Sequence, residues 1–498
     1  MSQSQSKSSD AASQGTTSPS ASWLDRVVSE TEQGRTAAQQ GLVKQTIIEI
    51  FGKSPQLRSS TISADLEGLI EQRIAAIEQT VSTQLDKVMH EPKFQTLEAN
   101  WRGLNQLVVN TRLSKELRIK VLDVSRRELE RDLGVGGAKE KSYQDSTLFN
   151  KLHDQEYGTP GGTPYGALIG AFEFGSDEHD VALLAKISKV AAVSHAPFIA
   201  AASPTMFSWE NYTRIQGGNA LYKLVEGDEH VHWNRFRSNP DSRYVGLVLP
   251  KYLARTPYRR KADTPEFTFD ENRTEADKPS FLWGNAAFVF GQILTKAFAD
   301  HGWCTAIRGQ ENGGDIQLPY ASGGKHTAGT GPTEVIVTHA QERELSAMGF
   351  LSLCQIKGTS EAVFFSGQSC QLPTAYYDNE TQESADLSAR LPYIFAVSRF
   401  AHHLKAMLYR KIGSPMGRDQ IQEYLHKWII RFVLDKANPT LDEMAKFPLA
   451  SARVSVEPVP GKAGEFRAVM ELQPHIQLER IDVAMRLVSN VPKDVVKK

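Results

Sequence analysis

Apolar side chains recur at three- and four-residue steps from Ile62 through Leu66, Leu69, Ile70, Ile74, Ile77, Val81 and Leu85 to Val88. That period places them on one face of a long amphipathic helix. Phe94, Leu97, Trp101, Leu104 and Leu107 carry the pattern into a second helix after Pro92. The run Leu117-Arg118-Ile119-Lys120-Val121 then alternates and predicts a strand. Further strands are predicted over 167–174, 198–201, 244–249, 334–337 and 361–365, with helices over 181–193 and 286–298 between them. Strands alternating with helices predict a mixed α/β body. Two long loops interrupt it, one over 250–279 and a Gly-rich one over 309–332. Loops of that length are usually functional or interaction segments.

After Tyr377 the texture changes. Helices are predicted over 391–412 and 421–434, the second closed by Asn438-Pro439. The runs 453–457 and 465–472, separated by Pro458-Val459-Pro460-Gly461-Lys462-Ala463-Gly464, read as a hairpin with a long turn. Phe466, Ala468 and Met470 alternate with Arg467, Val469 and Glu471, so one face of the second strand packs inward. A last strand is predicted over 481–488.

The chain ahead of the first helix divides in two. Residues 1–21 are Ser, Gln, Thr and Ala with almost nothing large and apolar, which predicts a disordered tail. Leu42, Val43, Ile47, Ile48, Ile50 and Phe51 make a dense apolar arm that ends at Gly52-Lys53-Ser54-Pro55. Its periodicity does not separate helix from strand, but such an arm needs something to pack against. The expected organisation is a tail over 1–21, an arm over 22–58, a mixed α/β body over 59–384 and a C-terminal domain over 385–498.

Composition narrows the function classes. The 498 residues include 57 basic and 58 acidic side chains, a net charge of −1, so no bulk attraction to nucleic acid or anionic membrane follows. Weak net charge gives little colloidal repulsion, which suits a subunit that polymerises. Cys304, Cys354 and Cys370 are three, far apart and outside any CxxC pair, as in reduced cytosolic protein. No signal-peptide pattern opens the sequence and no apolar run is long enough to span a bilayer, so the expected location is the cytoplasm, without membrane insertion.

Candidate chemistry mostly fails on spacing. Gly324-Lys325 and Gly52-Lys53-Ser54 invite a phosphate-loop reading, but the required upstream glycine is Pro319 in one case and Ile47 in the other. The 13 histidines contain no HExxH, and His402-His403 diverge by about 100° on a helix. Asp177-Glu178-His179-Asp180 opens a predicted helix, where acidic groups cap free N–H groups. There is no GxSxG elbow, and Arg259-Arg260 is a single basic pair in a loop. No catalytic, metal or cofactor site is read, and the expectation is a protein that is not an enzyme.

Several segments nevertheless stand together. Asn100-Trp101-Arg102-Gly103-Leu104, Phe172-Glu173-Phe174, 196–202, Leu253-Ala254-Arg255-Thr256-Pro257-Tyr258, Phe281-Leu282-Trp283-Gly284-Asn285-Ala286-Ala287 and the stretch from His301-Gly302-Trp303 to Gly313-Gly314 resemble the large sheath subunit of type VI secretion systems, the TssC or VipB family. The resemblance runs from about Trp23 onward. It implies a contractile-tail-sheath fold and a heterodimer with a small sheath subunit of the TssB or VipA type. It implies hexameric rings of such heterodimers stacked around an Hcp-type inner tube. It also implies assembly on a baseplate, contraction that drives the tube, and disassembly by a ClpV-type AAA+ ATPase. Strand exchange between protomers would use the N-terminal arm and the C-terminal hairpin, here Val454, Val456, Phe466, Ala468, Val469 and Met470. A tube-facing surface would include Lys405, Arg410, Lys411 and Arg418, although cations at a helix end also favour its dipole. A phage-like tail sheath, and an α/β enzyme using the 309–332 loop as a lid, are the alternatives.

Overall fold

The computed structural model describes residues 63–137, 141–217, 221–225, 227, 230–259, 267–271, 281–319, 331–436, 438–460 and 466–475, with six separate positions between 36 and 45. The chain divides into two compact units, Met1–Met89 with Arg260–Phe269, and His90–Arg259 with Asp270–Lys498. In the first, helix α1 (Ser63–Met89) is the long helix the pattern predicts, and Ile74, Ile77, Val81 and Val88 lie exposed along it.

The second unit opens with α2 (Pro92–Val109), whose proline occupies the first turn, where no N–H is needed. Helix α3 (Arg126–Leu133) starts at a capping box between Ser125 and Glu128. Strand β1 (Leu168–Phe174), α4 (Glu178–Ser194), β2 (Phe198–Ala202), α5 (Val231–Arg237) and β3 (Val245–Leu249) follow. Two short strands, β4 (Tyr252–Leu253) and β5 (Trp283–Gly284), pair before α6 (Ala287–His301). Strand β6 (Asp315–Gln317), α7 (His339–Ala347), β7 (Phe350–Gln355) and β8 (Glu361–Phe364) complete the body. The C-terminal part holds α8 (Asn379–Ser388), α9 (Leu391–Tyr409), α10 (Arg418–Ile429), α11 (Leu441–Lys446) and the hairpin β9 (Leu449–Pro458) and β10 (Phe466–Pro474).

Six strands form one sheet in the order β1-β2-β3-β7-β8-β6. The first four are parallel, β8 runs antiparallel to β7, and β6 pairs antiparallel with β8 and so points the same way as the first four. The central strands read Phe-Ile-Ala-Ala-Ala, Val-Gly-Leu-Val-Leu and Phe-Leu-Ser-Leu-Cys because helices cover both faces of a parallel sheet. Alternate residues serve different cores. Phe198, Val245, Leu247 and Phe350 pack with Leu184 and Ile187 of α4 and Trp233 of α5. Ile199, Val248, Leu351 and Leu353 pack with Phe290 and Ile293 of α6 and with Leu391 and Phe395 of α9. A third core gathers Trp303, Phe400 of α9, Leu425 and Ile429 of α10, and Val454 and Val456 of β9. Helix α9 thus enters the second core with its first turns and the third with its later ones.

Departures from the expected pattern have physical causes. Residues 117–121 form no strand: Leu117 and Ile119 are half-buried and their neighbours exposed, but no strand among the described residues pairs with them. The segment 334–337 buries Val335 and Val337 and exposes Ile336, with a ladder contact only at the neighbouring Thr333–Tyr252 bridge. Alternation reports which side is buried, not whether a ladder partner exists. The helix expected over 421–434 runs from Arg418 to Ile429 and continues as a 3-10 turn to Phe432. There Val433 leaves helical geometry to bridge Leu449 at the start of β9. The last expected strand, 481–488, lies outside the described residues, as do Val43, Ile47, Ile48, Ile50 and Phe51 of the arm and both Gly-Lys pairs. Leu42 is described; it has helical backbone and is exposed.

Candidate assembly interfaces

The hairpin is the first candidate surface. Its register sets Ala468 opposite Val456, Val469 opposite Ser455 and Met470 opposite Val454. Val454 and Val456 are buried, and Ala468, Met470 and Leu472 pack beside them in the third core. On the other face Arg467 stands opposite Glu457, and Glu471 opposite Arg453. A one-residue slip would turn the apolar set outward and leave these charges without opposite numbers, so the register is well specified.

The direction of the backbone groups follows from one hydrogen bond. Val456 N–H donates to Oε1 of Gln422 on α10 at 3.2 Å, so it points away from β10. Antiparallel pairs alternate between bonded and non-bonded, so Val456–Ala468 and Val454–Met470 are non-bonded pairs and Ser455–Val469 is bonded. The N–H and C=O of Ala468 and Met470 therefore face the outer edge of β10. No strand among the described residues lies against that edge. The outer edge of β9 is partly occupied, by Gln422 at Val456 and by Leu434 N–H at the carbonyl of Leu449, 2.9 Å. Phe466 is exposed at the turn end of β10, opposite Pro458.

The second candidate surface is on α2. Ala99, Gly103 and Leu107 are buried on the side that faces α6. A Cβ at position 103 would lie 2.4 Å from the Phe288 ring, so glycine is what lets the two helices approach. The opposite side exposes Phe94, Leu97, Trp101 and Val108, with Trp101 64% exposed. With the half-buried Leu104 these positions follow a seven-residue repeat, the seam spacing that packs against another helix. The segment Asn100–Leu104 thus carries a helix-packing glycine and an unburied tryptophan on opposite faces.

The other signature segments act as ties. Arg255 is buried and forks onto Glu271 at 2.6 and 3.1 Å, with Nε donating to Glu98 of α2 at 2.8 Å. Burial alone would raise the Glu98 carboxyl, but hydrogen bonds from Arg255 and Arg102 outweigh it and hold the group below its usual range. Asn285 donates to the carbonyls of Gly170 and Phe172 at 3.4 and 3.1 Å, inside a bulge of β1, and accepts from Ala287 N–H at 2.8 Å. It ties the irregular part of β1 to the start of α6. Asp177 caps α4, accepting from Asp180 N–H at 3.1 Å. Asp180 pairs with Arg126 of α3.

The four nominated cations divide. Lys405 is half-buried with its ammonium 3.5 Å from the Tyr157 ring centroid, and burial lowers its pKa. Lys411 lies 4.6 Å from the Tyr424 ring centroid. Arg410 and Arg418 are exposed, and Arg418 pairs with Asp419 at 3.2 Å. Among the described residues no group of three or more His, Cys, Asp and Glu is placed to hold a metal ion, and no helix is long and apolar enough to cross a membrane.

Residues 71–371 match the family described as EvpB/VC_A0108, tail sheath N-terminal domain. Residues 380–491 match its tail sheath gpW/gp25-like domain. Type VI secretion system sheath protein TssC1 of Pseudomonas aeruginosa PAO1 is 39% identical over 469 residues, 93% of either chain. More distantly, the chain is similar at 12% identity to solved chains of the anti-feeding prophage. Its baseplate gives a TM-score of 0.37 over 75% of this chain and 83% of that one. Its contracted helical sheath gives 0.31 over 61% and 66%. The class that the two family matches and the 39% identical relative define is the tail-sheath protein. Within it, this chain belongs to the VipB/EvpB family of type VI secretion sheath proteins.

Proposed function

We propose that the chain is the large subunit of a type VI secretion contractile sheath, joined to neighbouring protomers by strand addition at the outer edge of β10. The observation that carries this reading is that edge: Ala468 and Met470 turn N–H and C=O away from β9, where no described strand receives them. An uncovered strand edge is a template for another chain. Each ladder bond contributes about 0.5–1.5 kcal/mol net, little alone but large when every protomer of a polymer repeats it. The apolar composition of the N-terminal arm, Leu42 through Ile47 to Phe51, suits it to fill that edge on a neighbouring protomer.

A small sheath subunit of the TssB or VipA type docks a helix on the exposed stripe of α2. The heterodimers form six-membered rings around an Hcp-type tube, assemble in the cytoplasm on a baseplate, contract, and are taken apart by a ClpV-type AAA+ ATPase. Contraction needs no hydrolysis in this chain, because packed interfaces switch between discrete arrangements. The C-terminal domain from about residue 385 forms the inner layer.

Within that layer the tube contact falls to the exposed Arg410 and Arg418, while Lys405 and Lys411 are half-buried beside Tyr157 and Tyr424. The double variant Arg410→Glu, Arg418→Glu is expected to cut tube-templated sheath assembly about tenfold in low salt, and by less in ~0.5 M salt, where exposed charges are screened. Unchanged assembly in low salt removes these residues from the tube contact. Co-expression with the small subunit, followed by microscopy of the product, tests the larger reading.

A further inference from the structure

The later turns of α9 are held to the body by an unusual attachment. His402 is 5% exposed, and its Nε2 lies 3.0 Å from the carbonyl oxygen of Ser194, the last residue of α4. A carbonyl only accepts, so Nε2 carries the proton and the neutral ring leaves Nδ1 bare. That Nδ1 is buried and has no hydrogen-bond partner among the described residues. The next residue of the body, His195, ends α4 in left-handed geometry (φ 51°) and turns its ring edgewise to His402 and to Tyr157. Tyr157 also meets the His402 ring edgewise at 5.5 Å. Two turns along α9, Tyr409 Oη donates to the carbonyl of Gly158 at 3.3 Å, so the 150–158 segment is held by the same stretch of helix.

We propose that His402 is a proton-sensitive latch that fastens the later half of α9 to α4 and to the 150–158 segment only while its ring is neutral, and lets them part in mild acid. The inference is separate from the strand-addition reading and concerns the chain's own folding unit. A proton added to Nδ1 would sit on a buried atom with no described acceptor. Titratable and charged groups face it from three elements. Along α9 stand Arg399, His403 and Lys405. From α4 comes His195, whose Nδ1 is 3.2 Å from Tyr244 Oη. From the 150–158 segment come Tyr157 and His153. The nearby carboxylate, Asp154, is exposed and pairs with His153 at 2.8 Å. Burial first, and then His195, Arg399 and His403, pull the His402 ring down to about 4, although its bond to Ser194 works the other way.

The sign follows directly. A ring with a depressed folded pKa contributes its full stability above its unfolded value of about 6.5, and that contribution is lost as pH falls from there toward about 4. Because α9 continues into the third core, which carries β9 and β10, opening the latch loosens the support of the hairpin.

Hydrogen exchange of the full chain, in the complex in which it purifies, tests this at pH 6.5 and 5.5 after division by intrinsic exchange rates. Protection over 150–158 and 403–409 should fall up to about tenfold per pH unit, while the β2 and β3 amides hold. His402→Gln retains a donor for Ser194 without titrating, and should flatten the dependence to within about twofold. His232→Gln, at an exposed position, should leave it as in the parent. Two results overturn the proposal: unchanged protection in the parent chain, which requires no variant to fold, or the same fall in His402→Gln.

Discussion

Replacing Ala468 with proline is expected to abolish polymerisation while leaving the hairpin and the body folded. Ala468 N–H faces the outer edge of β10, so proline there removes a donor that β9 does not use. The side chain lost is a methyl group at a half-buried position, so the third core loses little. The incoming strand loses one bond of about 1 kcal/mol and meets a ring in its path. Repeated at every protomer, that loss stops growth. Val469→Pro is the informative contrast. Val469 bonds Ser455 across the hairpin, so proline there opens the hairpin itself and frees apolar surface. Sedimentation should find Ala468→Pro as soluble heterodimer and Val469→Pro as aggregate or degraded chain. Normal polymer from Ala468→Pro would mean that the edge of β10 joins nothing.

Trp101→Asp should separate the two subunits. Trp101 is 64% exposed and central in the stripe Phe94, Leu97, Trp101, Leu104 and Val108. Its removal costs the isolated chain at most about 0.5 kcal/mol. At the centre of a helix seam the same change removes an aromatic anchor and buries a charge, which costs roughly 2–4 kcal/mol of binding. Pull-down of the small subunit should fall by one hundredfold or more at about 3 kcal/mol, with the thermal midpoint of the large chain nearly unmoved. Retained pairing would move the docking site elsewhere.

The sequence makes most of the helices and the hairpin strand β10 legible, but not the edge strand β6, which lies within the 309–332 segment read as a loop. The alternation through Ala468, Met470 and Leu472 reports a single covered face, whereas the step from Ile74 to Val88 gives the period of α1 although those side chains stand exposed along it. Strands covered on both faces divide, β2 and β3 being read as short apolar runs and β7 not. Strand β7 lies in the middle of the sheet, yet Phe-Leu-Ser-Leu-Cys has no alternation and escapes a reading based on period. The opposite error occurs at 117–121, where half-burial of alternate residues imitates a strand that has no described ladder partner.

The candidate surfaces were legible to different depths. Phe466 to Met470 could be named as a strand, but which backbone groups face outward depends on where Gln422 of α10 lands, a contact 34 residues away. The stripe on α2 could be seen as apolar, but only Gly103 against Phe288 tells which half of the apolar surface is consumed and which is left for a partner. Lys405 and Arg410 look alike as charges. They differ because Tyr157, distant in sequence, lies beneath one of them.

The most direct test of the central claim is negative-stain electron microscopy of the chain co-expressed with a small sheath subunit of the TssB or VipA type. The account predicts hollow tubules of regular width from the parent pair, and heterodimers without tubules from the Ala468→Pro pair. A monodisperse, cooperatively melting monomer of the parent chain, indifferent to the small subunit at every ratio and forming no tubule, would contradict it.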